Sequence, residues 1–164
     1  MVMVAAVVTL LVLSILFYFL RHARKRAALV LDIDGTILGA DPSTVSDLIE
    51  EAKRLGASVY VNTARPALYC ARKDLVHKET GMFVTPEHHY CQNPNMLVPD
   101  SKVDNMRRIM KRTGISNPKC LCLLDDLKEN TNAVVSNGFS AVHTPSAILK
   151  KDIDLYLEPL RRCL

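Results

Sequence analysis

The run Leu29-Val30-Leu31-Asp32-Ile33-Asp34-Gly35-Thr36 narrows the possible folds more than any other part of the chain. Apolar residues carry the backbone to the end of a buried strand. Two carboxylates then stand one residue apart, and a Gly-Thr turn follows. Like charges at a strand end are costly unless a cation or an incoming group compensates them. A plain turn would use Asp34-Gly35 only for its positive φ, and Asp-x-Asp-Gly also opens calcium loops. The calcium loop fails here, because position 12 counted from Asp32 is Ser43, where a bidentate Glu is required.

If Asp32 is a nucleophile or a magnesium ligand, a phosphate binder, a counter-cation and further oxygen ligands should stand at neighbouring strand ends, where ligands of parallel α/β sheets gather. The segment 57–62 reads as a second strand and leads into Thr63-Ala64-Arg65-Pro66. Pro66 suits the first turn of a helix, which would put Thr63 just before a helix N-terminus, an anion site. Cys120-Leu121-Cys122-Leu123-Leu124 is a third apolar run, ending in Asp125-Asp126 with Asn130 about one turn beyond. Lys102 begins an amphipathic segment ahead of that strand; Lys111 is its rival but lies well inside the segment.

The remaining pattern alternates strand and helix: strand 28–33, helix 44–55, strand 57–62, a helix from Pro66 to about Lys78, helix 102–113, strand 120–124, helix 126–136, strand 139–143 and a helix from Ser146 onward. Residues 82–100 read as irregular. Such alternation predicts an α/β fold, a Rossmann-like parallel sheet with right-handed crossovers and helices on both faces. His88 and His89 fall in the irregular stretch; adjacent residues there rarely converge on one metal, and contact with a substrate over the site suits them better than catalysis.

The order of these signals resembles the haloacid dehalogenase superfamily of phosphohydrolases. Asp32-x-Asp34-Gly35-Thr36 is similar to its first motif, Val61-Asn62-Thr63 to its second, Lys102 to its third and Asp125-Asp126 to its fourth. The resemblance covers the chain from about Ala28 to its end. It implies hydrolysis of a phosphomonoester through an aspartyl-phosphate, with Asp32 as nucleophile and Asp34 as general acid and base, its pKa above that of its neighbour. Mg2+ would be held by Asp32, the backbone carbonyl of Asp34 and Asp125. Thr63 and Lys102 would bind the phosphate, Asp126 and Asn130 would support the ligands, with Asp126 able to exchange roles with Asp125, and Arg65 would touch the substrate. The segment between Asp34 and the second strand holds one helix and little else, and 65–100 has room for a helix and a loop but not for a folded domain, so the resemblance is to a capless or minimal-cap member. An uncovered site favours a phosphate displayed on something large: a phosphoprotein, a lipid headgroup or a nucleic-acid end. Membrane-tethered phosphatases of the carboxyl-terminal-domain type are similar in layout, but their first motif has Glu where this chain has Gly35. A tethered binding module that keeps the fold and has lost turnover is the alternative.

From Val2 to Leu20 no charged residue occurs, a stretch long enough to cross the roughly 30 Å hydrocarbon layer as a helix. Arg21, Arg24, Lys25 and Arg26 follow. A cleaved signal peptide would be shorter, preceded by charge and followed by a small-residue cleavage site. The sequence therefore predicts a transmembrane anchor at 1–20, a basic linker at 21–27 and a phosphatase domain at 28–164. The cations flank only the C-terminal side of the span, so the domain should face the cytosol. The formal net charge of +4 belongs to that junction: without its four cations, Lys/Arg and Asp/Glu stand at 17 each. Charge thus gives no indication of nucleic-acid binding, though a nucleic-acid end stays open as a substrate. Five cysteines without metal-binding spacing, two of them alternating in a buried strand, suit a reducing compartment.

Overall fold

The computed structural model describes residues 27–163. Five parallel strands form one sheet in the order β3-β2-β1-β4-β5, with β1 at Ala28–Leu31, β2 at Ser58–Pro66, β3 at His89–Gln92, β4 at Leu121–Asp125 and β5 at Ser140–His143. The central strand β1 and its neighbour β4 are buried along their whole length, as near-continuous apolar strands of a sheet covered on both faces should be. Helices α1 (Pro42–Arg54) and α6 (Ile153–Arg161) pack on one face, and α4 (Val98–Thr113) and α5 (Lys128–Ser136) on the other. Two short helices, α2 (Ala67–Ala71) and α3 (Lys73–Glu79), lie between β2 and β3. Among the described residues no second domain is inserted between these elements, and the α/β fold with its parallel sheet is as the sequence predicts.

Local chemistry explains the clearest boundaries. Asp41 caps α1 by accepting from the backbone N–H of Ser43 (2.8 Å) and Thr44 (3.3 Å), and Pro42 fills the first helical position. The buried side chains Val45, Leu48, Ile49 and Ala52 recur at helical spacing on one face of it.

Several boundaries move by one or two residues, and the larger differences from the sequence reading each have a physical reason. The strand expected to stop at 62 continues to Pro66, because Val61, Asn62 and Pro66 pair with β3. That edge strand lies inside the segment read as irregular; its four residues are too few to show an alternating pattern. The helix expected at 102 starts at Val98, with Pro99 in the first turn where a missing N–H costs nothing, so Lys102 sits in its second turn. The single helix expected from Pro66 breaks at Arg72 (ψ 79°) into α2 and α3. The final helix begins at Ile153 rather than 146, after Ala147 adopts a positive φ of 77°.

The cysteine reading is also corrected. Cys70 pairs with Cys91 and Cys120 with Cys163, with Cα separations of 5.9 and 5.6 Å. The partners are 21 and 43 residues apart in sequence, so only the folded topology brings them together. Cys122 is free and fully buried, which pushes its thiol up to about 12. No helix among the described residues is long and apolar enough to cross a membrane. The expected span at Val2–Leu20 and its basic flank lie outside the described residues.

Candidate active site

Asp32 stands one residue past β1, where its backbone N–H donates to the Leu124 carbonyl (2.9 Å) and continues the β1–β4 pairing. Leu31 pairs with both Val61 and Leu124, so the ends of β1, β2 and β4 come level around it. The chain then turns through a tight wide-ring helical turn at Ile33–Ile37, in which Gly35 takes φ +75°. A side chain at Gly35 would be strained there, and its Cβ would collide with the Asp126 carboxylate. The glycine therefore lets the first and fourth strand ends approach one another.

Lys102 reaches this point from α4. It is 1% exposed, and its ammonium donates to Asp32 Oδ1 (2.6 Å), pairs with Asp125 Oδ2 (2.8 Å) and donates to the Asn62 carbonyl (2.5 Å). Asp125, fully buried at the end of β4, accepts from the backbone N–H of Leu127 (2.9 Å) and from Asn130 Nδ2 (3.0 and 3.2 Å). These donors and the Lys102 ammonium fix the orientation of the buried carboxylate. Burial pushes the Asp32 carboxyl up to about 6, against the pull of Lys102, with the Asp125 charge adding to the rise. Burial and the neighbouring Asp125 raise Asp126 as well.

Asp34 behaves differently. Its exposed carboxylate takes two bonds from Arg65, Nη2 to Oδ1 (2.7 Å) and Nε to Oδ2 (2.9 Å), and this holds it below the usual carboxylate range. The expected order, with Asp34 above its neighbour, is therefore reversed: burial raises Asp32 while the guanidinium lowers Asp34. Arg65 is itself bracketed. It also pairs with Glu79 and lies over the Tyr69 ring, 4.6 Å from its centroid, and the Tyr69 hydroxyl donates to the same Glu79 oxygen (3.2 Å). A guanidinium between two carboxylates has little left for a substrate until one is displaced, which qualifies its expected role as a substrate contact.

Thr63 is buried in β2, with its hydroxyl accepting from the Arg65 N–H (3.2 Å). It does not precede a helix start, since β2 continues to Pro66 and the five-residue α2 begins at Ala67. Neither histidine serves the carboxylates. His88 Nδ1 bonds the Val59 carbonyl (3.0 Å) and its ring stacks on Tyr60, while the His89 ring is held between the Thr80 hydroxyl (2.8 Å) and the Thr85 carbonyl (2.9 Å).

Two buried amides escaped the sequence reading of the site. Asn62 Nδ2 donates to the Lys102 carbonyl (2.9 Å), and Asn105 Nδ2 donates to Asn62 Oδ1 (3.0 Å) and to the Cys91 carbonyl (3.0 Å). Their signal was faint but present: a polar amide inside an apolar strand, and another three residues after Lys102 on the same helix.

Asp32, Asp125 and Asp126 each offer an oxygen within 4.8 Å of the others, and this triad could hold a metal ion. Asp126 thus joins the ligand group for which it was expected only as support or substitute, whereas the Asp34 side chain is turned to Arg65. The residues fit a hard divalent cation. All three donors are carboxylate oxygens. Five acidic groups (Asp32, Asp34, Glu79, Asp125 and Asp126) face two cations, Lys102 and Arg65. Among the described residues Asn130 Oδ1 is buried without a partner, while the Nδ2 of the same amide holds Asp125.

No family model and no curated protein matches the chain. Among solved structures it is similar to an uncharacterized protein from Corynebacterium glutamicum, 14% identical, with a TM-score of 0.56 over 83% of this chain and 96% of that one. At that identity the likeness shows a shared fold.

Proposed function

We propose that this chain is a membrane-tethered, Mg2+-dependent phosphatase that hydrolyses a phosphomonoester through an aspartyl-phosphate on Asp32. The observation that carries this reading is the Asp32–Lys102–Asp125 array at the end of β1, with Asp126 beside it. It holds a carboxylate where a nucleophile is needed, an ammonium against it and an all-oxygen metal donor set. Asp32, Asp125 and Asp126 would hold the Mg2+, which supplies charge neutralisation for the phosphate.

In this reading an Asp32 oxygen forms the bond to phosphorus as the bond to the leaving oxygen breaks, dividing one hard displacement into two. Asp34 gives its proton to the leaving oxygen and then takes one from the water that attacks the aspartyl-phosphate, so Asp32 and inorganic phosphate are released. Arg65 must first leave Asp34, and Glu79 together with the substrate phosphate gives the guanidinium somewhere to go. Lys102 holds phosphate oxygens against the developing charge, and Thr63, the residue after the Asn62 carbonyl that Lys102 bonds, offers its hydroxyl from within β2. With no inserted domain over the site among the described residues, the substrate itself would exclude water, which favours a phosphate on a protein, a lipid headgroup or a nucleic-acid end.

The bidentate Arg65–Asp34 pair favours a second reading, a binding module in which the acid stays neutralised. Release of phosphate from p-nitrophenyl phosphate, with and without Mg2+, separates the two. Turnover that needs Mg2+ and is lost with a chelator supports the phosphatase; its absence under all conditions supports the module.

A further inference from the structure

The two disulfides occupy different places. Cys120–Cys163 joins the turn after α6 to the start of β4, at the end of that strand away from Asp125. Cys70–Cys91 joins α2 to the edge strand β3, beside the site. On one side of this bridge, the Cys91 carbonyl accepts from Asn105, whose amide also holds Asn62, and Asn62 holds Lys102 through its own carbonyl and side chain. On the other side, Cys70 follows Tyr69, the ring beneath Arg65, and Tyr69 bonds Glu79, the second partner of Arg65. One covalent bond thus joins the supports of both cations of the site.

The elements it joins are weak by themselves. A five-residue helix and a four-residue strand paired on one side only have few bonds of their own. The bridge is also reachable: a cleft of about 300 Å³ is lined by Ala67, Cys70, Cys91, Gln92, Asn93 and Arg108. Cys70 is half-buried there. Arg108 donates to Asn105 Oδ1 (3.1 Å) and places a positive charge beside the cleft, where it favours a departing thiolate. Cys122, by contrast, is sealed in the core.

We propose that Cys70–Cys91 is a redox latch on this site: intact, it holds Lys102 and Arg65 in register, and its reduction by a dithiol lowers turnover. The effect on turnover rests on the phosphatase reading. A thiolate of the reductant attacks the Cys70 sulfur, the S–S bond breaks, and Cys91 leaves as a thiolate that takes a proton. The second thiol of the reductant then displaces Cys70, so the protein gains two electrons and two protons and the reductant becomes a disulfide.

The test uses the full chain in detergent, before and after dithiothreitol, with thiols counted by maleimide labelling and folding followed by circular dichroism. Hydrolysis of p-nitrophenyl phosphate with Mg2+ should fall about tenfold on reduction, as a small displacement of positioned groups allows. A Cys70→Ser/Cys91→Ser variant should match the reduced protein and ignore the reductant, and a Cys120→Ser/Cys163→Ser variant should still respond to it. Equal turnover in native oxidised and reduced protein, with the Cys70 and Cys91 thiols counted, overturns the latch and leaves a structural staple. If neither form hydrolyses anything, the phosphatase reading fails, and calorimetric Mg2+ binding then decides the latch. A several-fold weaker affinity after reduction supports it, and equal affinity overturns it.

Discussion

At the scale of single residues, the site is a set of charges that each need a named partner. Asp32→Asn keeps the volume and removes the attacking charge, so turnover should fall below a tenth of the parent, measured with p-nitrophenyl phosphate. In the metal-free protein the same substitution has a pH signature. The folded pKa of Asp32, about 6, lies above its ordinary value of 3.8. The folded state therefore holds this proton more tightly than the unfolded one, and the stability it contributes is present at low pH and lost as pH rises through that window. Between pH 5 and 7 the parent should lose about 1 kcal/mol that Asp32→Asn keeps, read from urea denaturation of both at each pH. Lys102→Met should cost more, about 3 kcal/mol at pH 7, since it leaves Asp32 and Asp125 buried without their counter-charge. Asp32 and Asp125 were legible in the sequence because a charge at the end of an apolar run is conspicuous, whereas Lys102 stood out only through its order among the other signals. The Arg65 bracket was not, because Tyr69 and Glu79 meet it only after the chain has folded back through α2 and α3.

At the scale of elements, what was legible followed length. The helices of nine residues or more were found in place with ends displaced by a few positions or, for α6, by seven, since their apolar spacing repeats over several turns. β3 was missed because a four-residue edge strand is defined by its neighbour and not by its own pattern. That omission also misplaced Thr63, since β2 runs on to Pro66 only where β3 meets it. The turn after β1 is the element on which the site most depends. Gly35→Ala adds a Cβ where φ is +75° and Asp126 stands in the way. It should cost about 2 kcal/mol, seen as a lowered urea midpoint. It should also weaken Mg2+ binding measured by calorimetry, because Asp126 must move.

For the whole molecule, the described residues contain a complete core. Ala27 and Ala28 are fully buried at its entrance, and Tyr156, Leu157 and Leu160 of α6 close it. A fragment beginning at Lys25 should therefore be soluble and cooperatively folded, checked by size exclusion and thermal melting. If residues 2–20 span a membrane as the sequence predicts, the orientation of the domain has two opposed signals. The basic residues at 21–26 favour the cytosol, while the disulfides favour an oxidising compartment. Protease added to sealed membranes from the cytosolic side digests the domain in the first case and spares it in the second.

The direction of the strands adds a constraint on what the protein can reach. All five run the same way, so the chain enters β1 at one pole and meets Asp32 at the other. The strand alone puts about 13 Å between them. A chain held in a bilayer by residues 2–20 has only 21–27 as leash, at most about 24 Å when taut. If residues 2–20 anchor the chain as the sequence predicts, the tether would hold the domain by its back. Its carboxylates would look outward, away from the surface that carries them, with a phosphate lying flat in that same leaflet behind them. Such an arrangement would suit a phosphate that arrives from solution or is presented by a facing surface.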